Sequence, residues 1–98
     1  MRELIEKIEK WADDRGILRE STIGDQQDKL DEEVAELWTA IVDCDGERIV
    51  DGIGDCTVVL IIMAKLYGIP FEACLDHAWN EIKDRTGKMV DGVFVKDA

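Results

Sequence analysis

Five carboxylates fall at helical spacing inside segments that are otherwise apolar enough to be core: Glu32, Glu33 and Glu36 in the run KLDEEVAEL, and Asp51 and Asp55 in VDGIGDCTVVL. An α-helix advances roughly 100° per residue, so the apolar stripe of the first run centres on Leu30, Val34, Leu37 and Ile41, with Lys29, Glu33 and Glu36 along one border. On the second run Asp51 and Asp55 are one turn apart and share a face with Val58 and Ile62. Acids are thus aimed where two helices meet. Ionised carboxylates taken out of water and set near one another need a compensating cation or must take up protons. A hard divalent metal such as Mg²⁺, with Mn²⁺ the alternative, is the usual compensation. It prefers oxygen ligands, keeps several waters and bridges carboxylates to substrate phosphates. The pattern points to phosphate chemistry.

The elements that must carry these groups read as helices. Leu4, Ile5, Ile8, Trp11 and Ala12 recur at three- and four-residue intervals, the mark of an amphipathic helix, and Arg15-Gly16 fits its end. Ile17 to Gly24 reads as a connector, in which Ser21 or Thr22 caps the next helix and Asp25 stands in a capping-box position. The second helix is expected from about Asp25 to Val42, its stripe extended by Trp38 and Val42. Cys44-Asp45-Gly46 is a tight connector, which makes the second and third helices an antiparallel pair. The third runs from near Glu47 to Tyr67. Its middle, CTVVLIIMA, is rich in β-branched residues, but about twenty residues without a turn signal suit a helix better than a strand. A helix apolar all round must be covered on every side, which in so small a domain implies a partner subunit. Gly68 and Pro70 then separate it from a fourth helix, Pro70 to about Asp84, with Phe71, Cys74, Leu75, Ala78, Trp79 and Ile82 on one stripe. The end, KMVDGVFVKDA, carries the hairpin signal Asp91-Gly92 or is an extended tail.

Ninety-eight residues make one domain at most, spanning 1–98, and a chain this small gains core by oligomerising. The formal net charge of -11 opposes binding to nucleic acid polymers and anionic membranes. Three cysteines without a CxxC pair point to a reducing compartment rather than a disulfide framework. The charged, alternating start is no secretory signal, and the longest apolar run, Cys56 to Ala64, is well short of a membrane span. A soluble cytoplasmic protein is the expectation.

With the ExxE of Glu33 and Glu36 followed by an acid-bearing apolar helix and then Asn80-x-x-Lys83-x-Arg85, the chain resembles the MazG-like, all-α nucleotide pyrophosphohydrolases over most of its length. The family's EExxE motif matches Glu32, Glu33 and Glu36, and the aspartate that ends its ExxD motif matches Asp55. The resemblance implies an all-α, four-helix MazG-like bundle completed by homo-oligomerisation, as a homodimer or homotetramer. It also implies Mg²⁺-dependent cleavage of a nucleoside triphosphate between the α- and β-phosphates, giving a monophosphate and pyrophosphate. Glu33, Glu36 and Asp55 are then metal ligands, and Glu32 or Glu36 orients or deprotonates water. One departure stands out: Gly52 occupies the position of the family's glutamate, with Asp51 displaced by one residue as the substitute ligand.

Around that centre, Lys29, Lys83 and Arg85 are candidates for phosphate oxygens, and Asn80 for phosphate, sugar or base. Trp11 and Trp38 offer flat faces to a base, and Gln26 lies one turn before Lys29. Each has a plainer reading: cations near a helix C-terminus complement its dipole, tryptophans are most often core, and a DEExxE run is often a solvated face. Trp79 is assigned to the core and His77 to the surface or an interface. Gly52 and Gly54 cost about 1 kcal/mol each in a helix relative to alanine, so each serves either close helix approach or room for phosphate. Two competing functions remain: a non-catalytic helical module that binds a nucleotide or partner, and a phosphoribosyl-ATP pyrophosphohydrolase, which shares the fold and reaction type.

Overall fold

The apolar periodicity is realised as five helices and one hairpin in a computed structural model that describes residues 1–98. The helices are α1 (Arg2–Asp14), α2 (Ile17–Glu20), α3 (Ile23–Val42), α4 (Gly46–Tyr67) and α5 (Phe71–Ile82), followed by β1 (Gly87–Val90) and β2 (Val93–Lys96). The fold is all-α with a short C-terminal β-hairpin, as the sequence suggests. The expected connector Ile17–Gly24 is the exception, since it contains the single turn α2 between the left-handed Gly16 and the start of α3.

Local chemistry explains the boundaries. Thr22 and Asp25 form a reciprocal capping box, each side chain accepting the other's backbone N–H at 3.0 Å. The Asp45 carboxylate accepts the Arg48 N–H at 3.2 Å and starts α4. Gly68, at φ 91°, ends α4, where its own N–H and that of Ile69 both donate to Ala64 O at 3.0 Å. In the hairpin, Val90 faces Val93, and Asp91 and Gly92 both take positive φ, the arrangement of a two-residue type I′ turn.

Leu37 of α3 lies against Gly52 of α4, while Glu33, one turn earlier, shares a cavity with Asp55 and Val59, so the two long helices are antiparallel. Gly52 is buried, and a Cβ there would stand 3.0 Å from Leu37 Cδ1 and 3.2 Å from Leu37 Cα. Of the two roles expected for the paired glycines, close helix approach belongs to Gly52. Gly54 has open space beside it and borders a cavity. Helix α1 packs on α4, and the core consists of Ile5 and Ala12 from α1, Ala40 from α3, and Val59, Ile61, Ile62 and Ala64 from α4.

Two expectations about burial are corrected. The stripe of α5 expected to face the core has no fully buried residue: Phe71 and Cys74 are half-buried, and Leu75, Trp79 and Ile82 are exposed, Trp79 to 59%. Helix α5 turns 103° away from α4 after Gly68, held to the rest of the chain at its start by an Arg2–Glu72 ion pair of 3.0 Å. On α3 the face turned toward α4 runs through Glu33, Leu37 and Ala40, leaving Val34, Trp38 and Ile41 exposed. An apolar stripe can be wider than the single helix available to cover it, and here the surplus remains on the surface. The radius of gyration, 15.8 Å, exceeds the roughly 13 Å of a compact chain of this length. No single helix is long and apolar enough to cross a membrane.

Candidate active site

Three helices converge on a cavity of about 370 Å³. Helix α1 supplies Trp11, α3 supplies Gln26, Lys29 and Glu33 at successive turns, and α4 supplies Asp55 with Val58, Val59 and Ile62; Ile17 of α2 closes one end. The walls are aliphatic with a few polar groups, and the cavity opens to solvent where Trp11, Lys29 and Asp55 are exposed, leaving Glu33 as its buried charge.

Glu33 is the central feature. It is 8% exposed, the one charged residue in the buried set. Its Oε1 lies 3.2 Å from Lys29 Nζ, and its Oε2 is buried without any hydrogen-bond partner. A buried carboxylate oxygen left unpaired is costly, and such groups mark places where another ligand is accommodated. Lys29 Nζ also lies 3.4 Å from Glu32 Oε2. The hydrogen bonds to Glu33 and then Glu32, followed by their charges, raise the Lys29 pKa above its ordinary value. The thiol of Cys56 is raised as well, first by burial and then by the charges of Glu33 and Asp55.

Two further side chains are set by their neighbours. The Arg15 guanidinium lies 4.4 Å from the centre of the Trp11 ring, a cation–π contact one helical turn long. Gln26 Nε2 donates to Ser21 Oγ at 3.0 Å, which fixes the carboxamide at the cavity's end. Neither Arg15 nor Ser21 was singled out as a site residue from sequence. The i, i+4 spacing of Trp11 and Arg15 was a usable signal. The Ser21–Gln26 pair depends on the path of α2 and had none.

Asp55 borders two more cavities. One, with Lys7, Ile8, Trp11 and Val58, extends along α1, and the other, of about 420 Å³, holds Asp51 among Leu4, Ile8, Val50 and Gly54. The structure thus brings together Trp11, Gln26, Lys29, Glu33 and Asp55. It places Asp51 on the α1 side of Asp55, Glu32 at the exposed end of the Lys29 pair, and Glu36 exposed on α3. Asn80, Lys83 and Arg85, at or just beyond the end of α5, are exposed and do not line the Glu33–Asp55 cavity. No three acidic, histidine or cysteine side chains converge into a cage of their own.

That donor set still fits a hard divalent cation. Mg²⁺ takes one or two protein carboxylates, completing its octahedron with waters and substrate phosphates. The unpartnered Glu33 Oε2 and the Asp55 carboxylate, on facing helices of one cavity, supply that number.

Comparison with known proteins agrees with this architecture. The family model described as phosphoribosyl-ATP pyrophosphohydrolase matches residues 1–83. An uncharacterized 18.2 kDa protein of the rep–hol intergenic region of Haemophilus phage HP1 (strain HP1c1) is 43% identical over 65 residues, covering 66% of this chain. The matched stretch spans 40% of the phage protein's length. No solved structure matches the chain. By the extent of the family match, this chain belongs to the phosphoribosyl-ATP pyrophosphohydrolase family, a MazG-like all-α group.

Proposed function

We propose that the chain is a Mg²⁺-dependent nucleoside triphosphate pyrophosphohydrolase, cleaving the α–β phosphoanhydride of an NTP or dNTP. The observation that carries this reading is Glu33, a buried carboxylate whose Oε2 lacks a partner in a cavity shared with Asp55, Lys29, Gln26 and Trp11. Water adds across the anhydride: a new P–O bond forms, the bridging α–β P–O bond breaks, and a nucleoside monophosphate and pyrophosphate leave. Glu33 and Asp55 would hold the metal, which when bound would neutralise the polyphosphate oxygens and acidify water. Lys29 lies within the same cavity and meets phosphate oxygens. Trp11, backed by Arg15, offers an aromatic face to the base, and Gln26, anchored on Ser21, offers its free N–H and carbonyl. Glu36, on the exposed side of α3, and Glu32 are the carboxylates left to orient water. Asp51 borders a neighbouring cavity together with Asp55 and is the further acid available to a metal there.

The exposed apolar faces of α3, α4 and α5 support a homodimer or homotetramer. Three free cysteines favour the cytoplasm. A second reading, a nucleotide-binding module without catalysis, draws on Gly52, which packs against Leu37 where the family carries glutamate.

Pyrophosphate release from a panel of ribo- and deoxynucleoside triphosphates and phosphoribosyl-ATP, with Mg²⁺, tests the assignment. Release by the wild-type chain is expected, with loss in Glu33→Gln and Glu36→Ala at unchanged helicity. Binding of a nucleotide without release anywhere in the panel would overturn it in favour of the module.

A further inference from the structure

The ammonium of Lys29 lies 3.2 Å from Glu33 Oε1 and 3.4 Å from Glu32 Oε2, on the same cavity that Asp55 borders. A divalent ion seated on Glu33 would therefore meet a positive charge already paired with the other oxygen of the same carboxylate. Like charges at such separations repel, and the solvent that reaches Lys29 reduces the effect to that of a half-exposed pair. Lys29 differs from Glu33 in its freedom: its side chain is half exposed, at 51%, while that of Glu33 is 10% exposed. The ammonium sits on a flexible four-carbon stem and can leave, whereas the carboxylate cannot.

Resting on the pyrophosphohydrolase reading, we propose that Lys29 makes this a site for the chelate of a divalent metal with a polyphosphate rather than for the bare metal ion. Lys29 holds Glu33 until phosphate oxygens offer its ammonium another partner, and the exchange frees the carboxylate at the moment phosphate arrives. Bare metal takes Glu33 from Lys29 and leaves the ammonium with the exposed Glu32 alone. The chelate brings its own anionic oxygens, so Lys29 moves from one set of oxygens to another within the cavity. Metal and phosphate are thereby linked through one side chain.

Equilibrium dialysis with Mn²⁺ as the probe, alone and as its pyrophosphate chelate, tests this on the wild-type chain, Lys29→Met and Lys65→Met. Lys65 is an exposed lysine in the last turn of α4 and gives the effect of net charge alone. Lys29→Met is expected to bind bare Mn²⁺ roughly fivefold more tightly, the equivalent of one half-exposed ion pair, and the chelate more weakly than wild type. Lys65→Met is expected to match wild type in both. The proposal is overturned if Lys29→Met changes neither affinity beyond the Lys65→Met control, or if it weakens bare Mn²⁺, which would make Lys29 a prop for Glu33. Those results with pyrophosphate release intact in the wild-type chain would leave the enzymatic reading standing. A wild-type chain that binds neither probe would remove both.

Discussion

Glu33→Met is expected to stabilise the fold while ending metal binding. Methionine keeps the unbranched stem and the helix propensity of glutamate and replaces the carboxylate by an apolar group in a buried setting. Removing the unpartnered Oε2 relieves a desolvation cost of about 1–3 kcal/mol. The opposing loss is the Lys29 pair, which is half exposed on the lysine side and contributes at most about 1 kcal/mol. Lys29 also retains Glu32 at 3.4 Å. With the full loss of the pair the balance still favours the variant by about 0–2 kcal/mol, which in a domain of this size raises the Tm by up to roughly 10 °C. Circular-dichroism melting at fixed protein concentration in a chelator measures it. Added Mn²⁺–pyrophosphate chelate should then raise the Tm of the wild-type chain and leave that of Glu33→Met unmoved. A variant that melts below wild type in chelator would show that Glu33 contributes to the fold rather than being held there at its expense.

Two further outcomes separate packing and charge effects. Gly54→Ala, with nothing within 4 Å of the new methyl, should stabilise by about 0.5–1 kcal/mol through helix propensity. Gly52→Ala gains the same propensity but presses on Leu37 Cα, and overpacking of about 1–3 kcal/mol should make it the less stable variant in denaturant titration. Equal stabilisation of both would refute the tight α3–α4 contact. For the Arg2–Glu72 pair, the hydrogen bond from Arg2 is the largest cause holding the Glu72 carboxyl below its ordinary range. Its contribution is present above the unfolded glutamate value of about 4.3 and is lost as pH falls through the lower folded value. The Tm difference between wild type and Glu72→Gln should therefore shrink toward zero on acidification, and a difference that grows in acid would refute the assignment.

The parts of the molecule fixed by local rules were legible in the sequence. The capping box of Thr22 and Asp25, the left-handed stop at Gly68 and the Asp91-Gly92 turn depend on a few adjacent residues, and each occurs where its residues stand. The pairing of α3 with α4 followed from a short connector. What was not legible depends on which neighbour a face meets. The stripe of α5 has the spacing of a core helix, yet the 103° turn after Gly68 leaves it uncovered within the chain. Periodicity identifies an apolar face and is silent on what covers it. The same limit applied to the acids. Glu32, Glu33 and Glu36 share a motif, but rotation of α3 against α4 buries Glu33 and leaves the other two in solvent. Gly52 left two explanations open until Leu37 was seen against it.

The three tryptophans stand in three different settings, and this gives the chain its own optical reporters. Trp11 is 44% exposed on the cavity wall beneath Arg15, whereas Trp38 and Trp79, at 65% and 59%, stand on the outer faces of α3 and α5. All three indoles are exposed in a single chain, so a blue shift that disappears when Trp38 and Trp79 are replaced by phenylalanine reports the covering of those faces. Quenching that survives replacement of Trp38 and Trp79 by phenylalanine belongs to Trp11 and reports events in the cavity. Assembly and occupancy can therefore be followed separately in one cuvette, without an added label.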